Sequence, residues 1–139
     1  MRRLCLLLAL IFVFGYAVPA YTYDIEDEPV PDEPVEPYTY TDFVNGALDV
    51  SDGVAVVRAT YVGNDDVTGA TIEITLQKRF LLFWWNDVEG GHWIDSFTTS
   101  SGSTSHSLSV PSGTYRAVIK YKIYGSGGDY DEISKTVDQ

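Results

Sequence analysis

Two histidines, His92 and His106, are the side chains best suited to general acid–base chemistry near neutral pH. Serines flank His106, and Asp87 and Asp95 lie nearby in the chain, so a Ser-His-Asp arrangement can be drawn from these residues. No Gly-x-Ser-x-Gly turn is present to expose a nucleophile. We therefore predict no catalytic residue and no enzyme activity. A small extracellular hydrolase is the least favoured alternative.

Two short acidic loops are the candidates for metal ligands. The loop Gly125–Glu132 resembles one unit of a glycine-aspartate calcium repeat, and residues 64–66 read Asn-Asp-Asp. A single copy cannot build the stacked sites that such repeats form, and Gly, Asn and Asp are also the ordinary residues of tight turns. We predict no metal site and no cofactor.

Large aromatic side chains form the most informative cluster of the sequence. Within fourteen positions the chain carries Phe80, Phe83, Trp84, Trp85 and Trp93. Alternation along a strand places Trp84 and Trp85 on opposite faces, which predicts at least one indole outside the core. Exposed indoles stack on sugar rings or anchor protein partners. Trp84, Trp85 and Trp93 are therefore candidate ligand-binding residues. A second interpretation stays open, in which one indole fills the core and its neighbour packs under a loop at residues 86–91.

The start of the chain predicts export. Residues 1–20 combine two arginines, the apolar run Leu4–Phe14 and small residues before Ala20, a pattern typical of a cleaved signal peptide. The run is shorter than the roughly 20 apolar residues of a membrane-spanning helix. Cleavage after Ala20 would also remove Cys5, the only cysteine. We predict a secreted, extracellular protein without disulfides.

Charge is concentrated in the segment that follows. Residues 21–40 contain seven acidic residues, four prolines and no basic residue, which predicts an extended, disordered linker. The whole chain has a formal net charge of −11, and loss of two arginines with the signal peptide would make it more negative. Such a chain repels phosphate groups, so we expect no nucleic-acid partner and no membrane association after cleavage.

The rest of the chain, residues 41–139, has the alternation of β-strands broken by turn residues about every ten positions. The clearest strands are Ala70–Lys78 and Thr114–Tyr124, with loops predicted at residues 86–91 and a loop or strand edge at 99–105. About seven to eight strands in one domain predict an all-β, antiparallel sandwich of immunoglobulin-like or fibronectin type.

Three segments carry a resemblance to a known family. Residues 69–74 read GATIEI, residues 113–121 read GTYRAVIKY, and residues 125–128 form a Gly-Ser-Gly-Gly turn before a final strand. Across roughly residues 47–137 the chain resembles an uncharacterised family of small secreted immunoglobulin-like proteins of Gram-positive, clostridia-like bacteria. The resemblance implies the sandwich fold, export, and a corner in which the Tyr115 hydroxyl ties the turn before its strand. It implies no activity.

These observations favour a secreted, non-catalytic binding module with a glycan or protein partner. The alternative is a structural component of the cell envelope or matrix that assembles through exposed sheet edges. The sequence leaves the ligand and the oligomeric state open.

Overall fold

The computed structural model describes residues 38–139. The predicted signal peptide at 1–20 and nearly all of the predicted linker at 21–40 lie outside the described residues. The described part consists of seven strands: β1 (Thr41–Ser51), β2 (Val54–Gly63), β3 (Val67–Phe80), β4 (Trp84–Phe97), β5 (Ser101–Ser109), β6 (Tyr115–Gly125) and β7 (Tyr130–Asp138).

The strands form two antiparallel sheets that pack face to face. One sheet has the order β1-β2-β5 and the other the order β4-β3-β6-β7. Every pair of neighbouring strands is antiparallel. This confirms the predicted all-β, antiparallel sandwich.

The core is built from the inward faces of the central strands, where alternation is strictest. The fully buried side chains are Ala55, Val57, Ala59 and Tyr61 on β2, Ala70, Ile72, Ile74 and Leu76 on β3, and Tyr115, Ala117, Ile119, Tyr121 and Ile123 on β6. These are the faces that the period of two predicts. Each large aliphatic side chain removed from water in this way stabilises the fold by about 1.5–3 kcal/mol.

Three buried tyrosines also hold separate segments together through their hydroxyls. Each donates a hydrogen bond to a main-chain carbonyl oxygen: Tyr61 to Thr99 at 2.6 Å, Tyr115 to Pro111 at 2.5 Å, and Tyr121 to Asn45 at 2.5 Å. The Tyr115 bond closes the turn before β6, as the resemblance implies. The Tyr121 bond joins β6 of one sheet to β1 of the other.

The predicted loop at residues 86–91 is wrong, because β4 runs through it. Asp87 pairs with Gln77 and His92 pairs with Thr75, so the segment between Asp87 and His92 bulges opposite the single residue Leu76. Gly90, with φ +76°, provides the left-handed conformation that such a bulge needs. The turn-forming residues that predicted a loop serve a bulge instead. The segment 99–105 is a bend followed by the start of the edge strand β5.

The sandwich has two distinct ends. At the linker end, the first described residue, Tyr38, precedes β1, and Tyr40 accepts a hydrogen bond from the Asn64 main chain in the β2–β3 turn. At the opposite end, here called the tip end, lie the β3–β4 hairpin and the C-terminal Gln139, whose main chain donates to Tyr115 at the start of β6.

The edge strands β1 and β7 meet at the linker end through one carboxylate. Asp131 accepts hydrogen bonds of 2.8–3.2 Å from the main chain of residues 39–41 and from the Thr41 hydroxyl. Burial alone would raise the pKa of Asp131. The hydrogen bonds from Tyr40, Thr41 and Thr39 outweigh that effect and hold the pKa below its ordinary value. Further along, Lys135 donates to the Val44 carbonyl oxygen at 3.2 Å.

Candidate functional site

The most exposed apolar surface of the described residues is the hairpin tip, defined as Phe80–Trp84. All five side chains are more than half exposed, from 55% at Phe80 to 78% at Phe83. The hairpin extends past the last pair between β3 and β6, Lys78 with Tyr115. Five adjacent large apolar side chains in water are unusual for a soluble domain and indicate a contact surface.

The turn of the hairpin is built from residues that disfavour turns. It comprises Leu81, Leu82 and Phe83, and Leu81 adopts φ +55°. Glycine or asparagine normally fills such a left-handed position, and a leucine there costs about 1–2 kcal/mol. Both the backbone conformation of Leu81 and the exposure of apolar side chains to water therefore destabilise the hairpin tip.

Trp84 lies within the hairpin tip, outside the core, as strand alternation predicts for one of the adjacent indoles. It is 59% exposed and contacts Phe83 edge to face, with ring centroids 6.4 Å apart. Its partner across the hairpin is Phe80. Trp84 is the one predicted ligand-binding residue that joins the hairpin tip.

Trp85 points to the outer face of the four-stranded sheet and is partly covered. The Arg116 guanidinium lies 4.3 Å from its ring centroid and that of Arg79 lies 5.8 Å away. These are cation–π contacts, and a hydrogen bond of 2.8 Å from Arg116 to Gln77 fixes the nearer one. Trp85 thus positions two cations next to the hairpin tip.

Trp93 lies away from both, against the core. Its ring stacks on the His106 imidazole with centroids 5.0 Å apart and planes only 8° from parallel. One face of the indole is therefore occupied by the protein itself. The three predicted ligand-binding tryptophans do not form a common surface, since they lie at the tip, on the outer face and beside the core.

His106 belongs to a small polar cluster between the edge strands β4 and β5. Its Nε2 atom lies 2.6 Å from Asp95 Oδ2 and 3.2 Å from Thr104 Oγ1. The Thr104 hydroxyl also donates to Asp95 at 2.9 Å. In a catalytic triad the nucleophile and the acid contact opposite ring nitrogens. Here both contact the same nitrogen, so the cluster links two strands rather than activating the hydroxyl.

His92 is in a separate pair on the surface, 2.8 Å from Glu73. Within residues 38–139 no three His, Cys, Asp or Glu side chains come together as a metal site would require. A search of the same residues finds no helix long and apolar enough to cross a membrane.

Basic side chains surround the base of the hairpin. Lys78, Arg79 and Arg116 are three of the nine Lys and Arg residues in the chain. Lys78 and Arg79 also line a surface depression of about 350 Å³ between the hairpin and the β5–β6 loop. Arg79 Nε donates to the Leu82 carbonyl oxygen at 3.2 Å, which holds this cation directly behind the turn.

Sequence reasoning predicted that at least one of Trp84 and Trp85 lies outside the core, without saying which, and it did not single out Leu81 or Leu82. Six apolar residues in succession, 80–85, break the period of two, and that break was the signal available. It did not identify a turn, because the segment lacks glycine, proline and asparagine.

No protein-family model matches the chain, and a search of curated proteins finds no match. The resemblance based on residues 47–137 therefore stays a prediction.

Proposed function

We propose that this protein is a secreted, non-catalytic binding module whose contact surface is the hairpin tip, Phe80–Trp84. The observation that carries the proposal is the run of five adjacent apolar side chains, each more than half exposed. Burying a large apolar side chain against a partner contributes about 1.5–3 kcal/mol, so three or four of them support measurable affinity.

The chemistry of the hairpin tip favours an apolar partner over a glycan. Sugar-binding sites combine an aromatic face with a few placed polar groups that fix the hydroxyls. The five side chains of the tip carry only one polar atom between them, the indole nitrogen of Trp84. The other two indoles each have a ring face covered, by Arg116 or by His106.

Assembly through sheet edges is opposed at two of the four edge strands, whereas the nine-residue edge strand β5 has no Lys, Pro or acidic residue that would protect it. The edge strand β1 is covered at its start by Asp131 and further along by Lys135. The edge strand β4 carries a bulge that interrupts its regular ladder. Both features are ways in which proteins protect an edge from pairing with another chain. The hydrolase alternative would need His106 to lie between a nucleophile and an acid. Asp95 and Thr104 instead both contact the same ring nitrogen of His106.

Retention on a phenyl-substituted resin tests the proposal with the chain that begins at Tyr21. Residues 36–139 form a compact unit, so omission of the predicted signal peptide leaves the described fold complete. We expect Phe83→Glu to reduce retention strongly. Ile94→Glu is the matched control, because Ile94 is also an exposed apolar residue of β4, at 60%, but lies outside the tip. Equal losses in both variants would contradict the proposal.

Two further measurements test the remaining parts. N-terminal sequencing of protein recovered from culture medium should begin at Tyr21 if the chain is exported and cleaved as predicted. Tryptophan fluorescence should be quenched by iodide through Trp84 and should stay unchanged on addition of soluble glycans. A spectral change with one glycan would instead favour a carbohydrate-binding module.

A further inference from the structure

We propose that the hairpin tip inserts into the interfacial region of a lipid bilayer that carries anionic headgroups. This inference rests on the proposed function, because it names the partner of the same surface. Four observations support it: the order of side chains along the hairpin, the backbone contact at the turn, the shape of the tip, and the distribution of charge.

The side chains change from apolar to aromatic to basic with distance from the turn. Leu81, Leu82 and Phe83 form the apex, Phe80 and Trp84 follow, and Arg79 and Lys78 come next. A bilayer has the same order: hydrocarbon, then an interface that favours Trp, then anionic phosphate. The Arg79 guanidinium reaches the turn, since its Nε atom lies 3.2 Å from the Leu82 carbonyl oxygen, so only the apolar side chains of the apex would pass below the headgroups. Interfacial segments enter a membrane by only about 5–10 Å.

The turn also has part of its backbone polarity satisfied from within. A carbonyl group that enters hydrocarbon without a partner costs several kcal/mol. The hydrogen bond from Arg79 Nε to the Leu82 carbonyl oxygen provides such a partner at the apex. It also keeps the guanidinium at the turn, which limits insertion to the interfacial region of the bilayer.

The shape of the hairpin tip favours a deformable partner. The tip is the convex end of a two-stranded hairpin, and Leu81 accepts a left-handed conformation there. A protein partner would need a pocket deep enough for five large side chains. A bilayer accommodates them without a matching shape, so the observations favour lipid over a protein pocket.

The net charge of the chain argues against an anionic membrane, but the charged residues nearest the apex of the hairpin are basic. Arg79 and Lys78 pair with Trp85 and Asn86, directly behind the Phe80–Trp84 pair. The first acidic residue, Asp87, pairs with Gln77 one step further from the turn, and its carboxylate accepts a hydrogen bond of 2.8 Å from the Gln77 side chain. The first charges that anionic headgroups would meet are therefore those of Arg79 and Lys78.

Vesicle flotation tests the inference with the chain from Tyr21 onward. We expect binding to vesicles of phosphatidylcholine and phosphatidylglycerol, and weaker binding to phosphatidylcholine alone. Phe83→Glu should weaken partitioning by about tenfold or more, while Ile94→Glu leaves it unchanged. Arg79→Gln should reduce the salt-dependent preference for phosphatidylglycerol. Trp84 fluorescence should shift to the blue and be quenched by lipids brominated on their acyl chains.

Each other outcome would overturn the inference in a recognisable way. Absence of vesicle binding, with retention on phenyl resin still dependent on Phe83, would keep the proposed function and point to an apolar pocket on a protein. Concentration-dependent dimerisation in sedimentation velocity, lost in Phe83→Glu, would assign the tip to a second copy of the chain. Vesicle binding that Phe83→Glu does not change would place the lipid contact elsewhere and overturn the inference, while the retention on phenyl resin would still decide the proposed function.

Discussion

Replacement of Tyr121 by phenylalanine tests the hydrogen bond that joins the two sheets. The Tyr121 side chain is fully buried, and its hydroxyl donates to the Asn45 carbonyl oxygen at 2.5 Å. Tyr121→Phe keeps the ring and the packing but removes this donor. We expect the free energy of unfolding at pH 7 to fall by about 1 kcal/mol.

The same variant has a distinctive pH dependence. Burial raises the pKa of Tyr121 from 10.0 to about 12, although a hydrogen bond with the Thr60 main chain partly offsets the effect of burial. Because the folded state holds this proton more tightly than the unfolded chain, the contribution of Tyr121 is complete below pH 10. It is lost as the pH rises toward 12. The loss amounts to about 1.4 kcal/mol at pH 11 and approaches about 2.7 kcal/mol well above pH 12.

The stability curves of the two proteins should therefore cross. Wild type is more stable by about 1 kcal/mol at pH 7, and Tyr121→Phe should equal or exceed it near pH 11. Urea unfolding followed by tryptophan fluorescence at both pH values measures the difference. Tyr130→Phe removes a hydroxyl from an exposed side chain and should change stability at pH 7 by less than about 0.5 kcal/mol. A difference between wild type and Tyr121→Phe that stays constant from pH 7 to 11 would refute the reasoning.

Three other substitutions test separate parts of the fold. Tyr115→Phe removes the donor to the Pro111 carbonyl oxygen and should lower the free energy of unfolding by about 1–2 kcal/mol in urea titrations. Asp131→Asn should cost about 1–2 kcal/mol at pH 7. Because the pKa of Asp131 is lowered in the folded state, that difference should disappear as the pH falls through the folded-state pKa, and a pH-independent difference would contradict the carboxylate's role. Gly69→Ala would place a methyl group against the Phe97 main-chain oxygen and should lower the melting temperature by several degrees. An unchanged melting temperature would show that β3 and β4 move apart at this position without a measurable loss of stability.

The sandwich was predictable because its central strands obey a local rule. In Ala70–Leu76 and Tyr115–Ile123 every second side chain is apolar, and burial of one face follows directly from the pleat. The Tyr115 corner was expected only from the family resemblance, and the hydroxyl does donate to the Pro111 carbonyl oxygen, four residues earlier in the chain.

The contacts between sheets were not predictable from local pattern. Trp93 and His106 stack on each other although they come from edge strands of different sheets. Their proximity depends on how the two sheets align, and spacing in the chain does not encode that alignment. The sequence allowed a Ser-His-Asp triad to be considered around His106. The structure instead pairs His106 with Asp95 and with a threonine, Thr104.

The hairpin tip shows where local rules and the molecule diverge. For the sandwich alone, Asn-Gly or a similar pair would close the β3–β4 hairpin better than Leu81-Leu82-Phe83, because those residues accept left-handed conformations at little cost and interact well with water. Stability of the fold therefore does not explain this composition. Natural sequences break several local rules at once mainly where function requires it. The broken rules here coincide with the end of the domain opposite Tyr38, where the hairpin extends past the last pair between β3 and β6. The hairpin tip combines residues that destabilise the free domain with a protruding position. For this reason we propose binding at the tip rather than at Trp93 or His106.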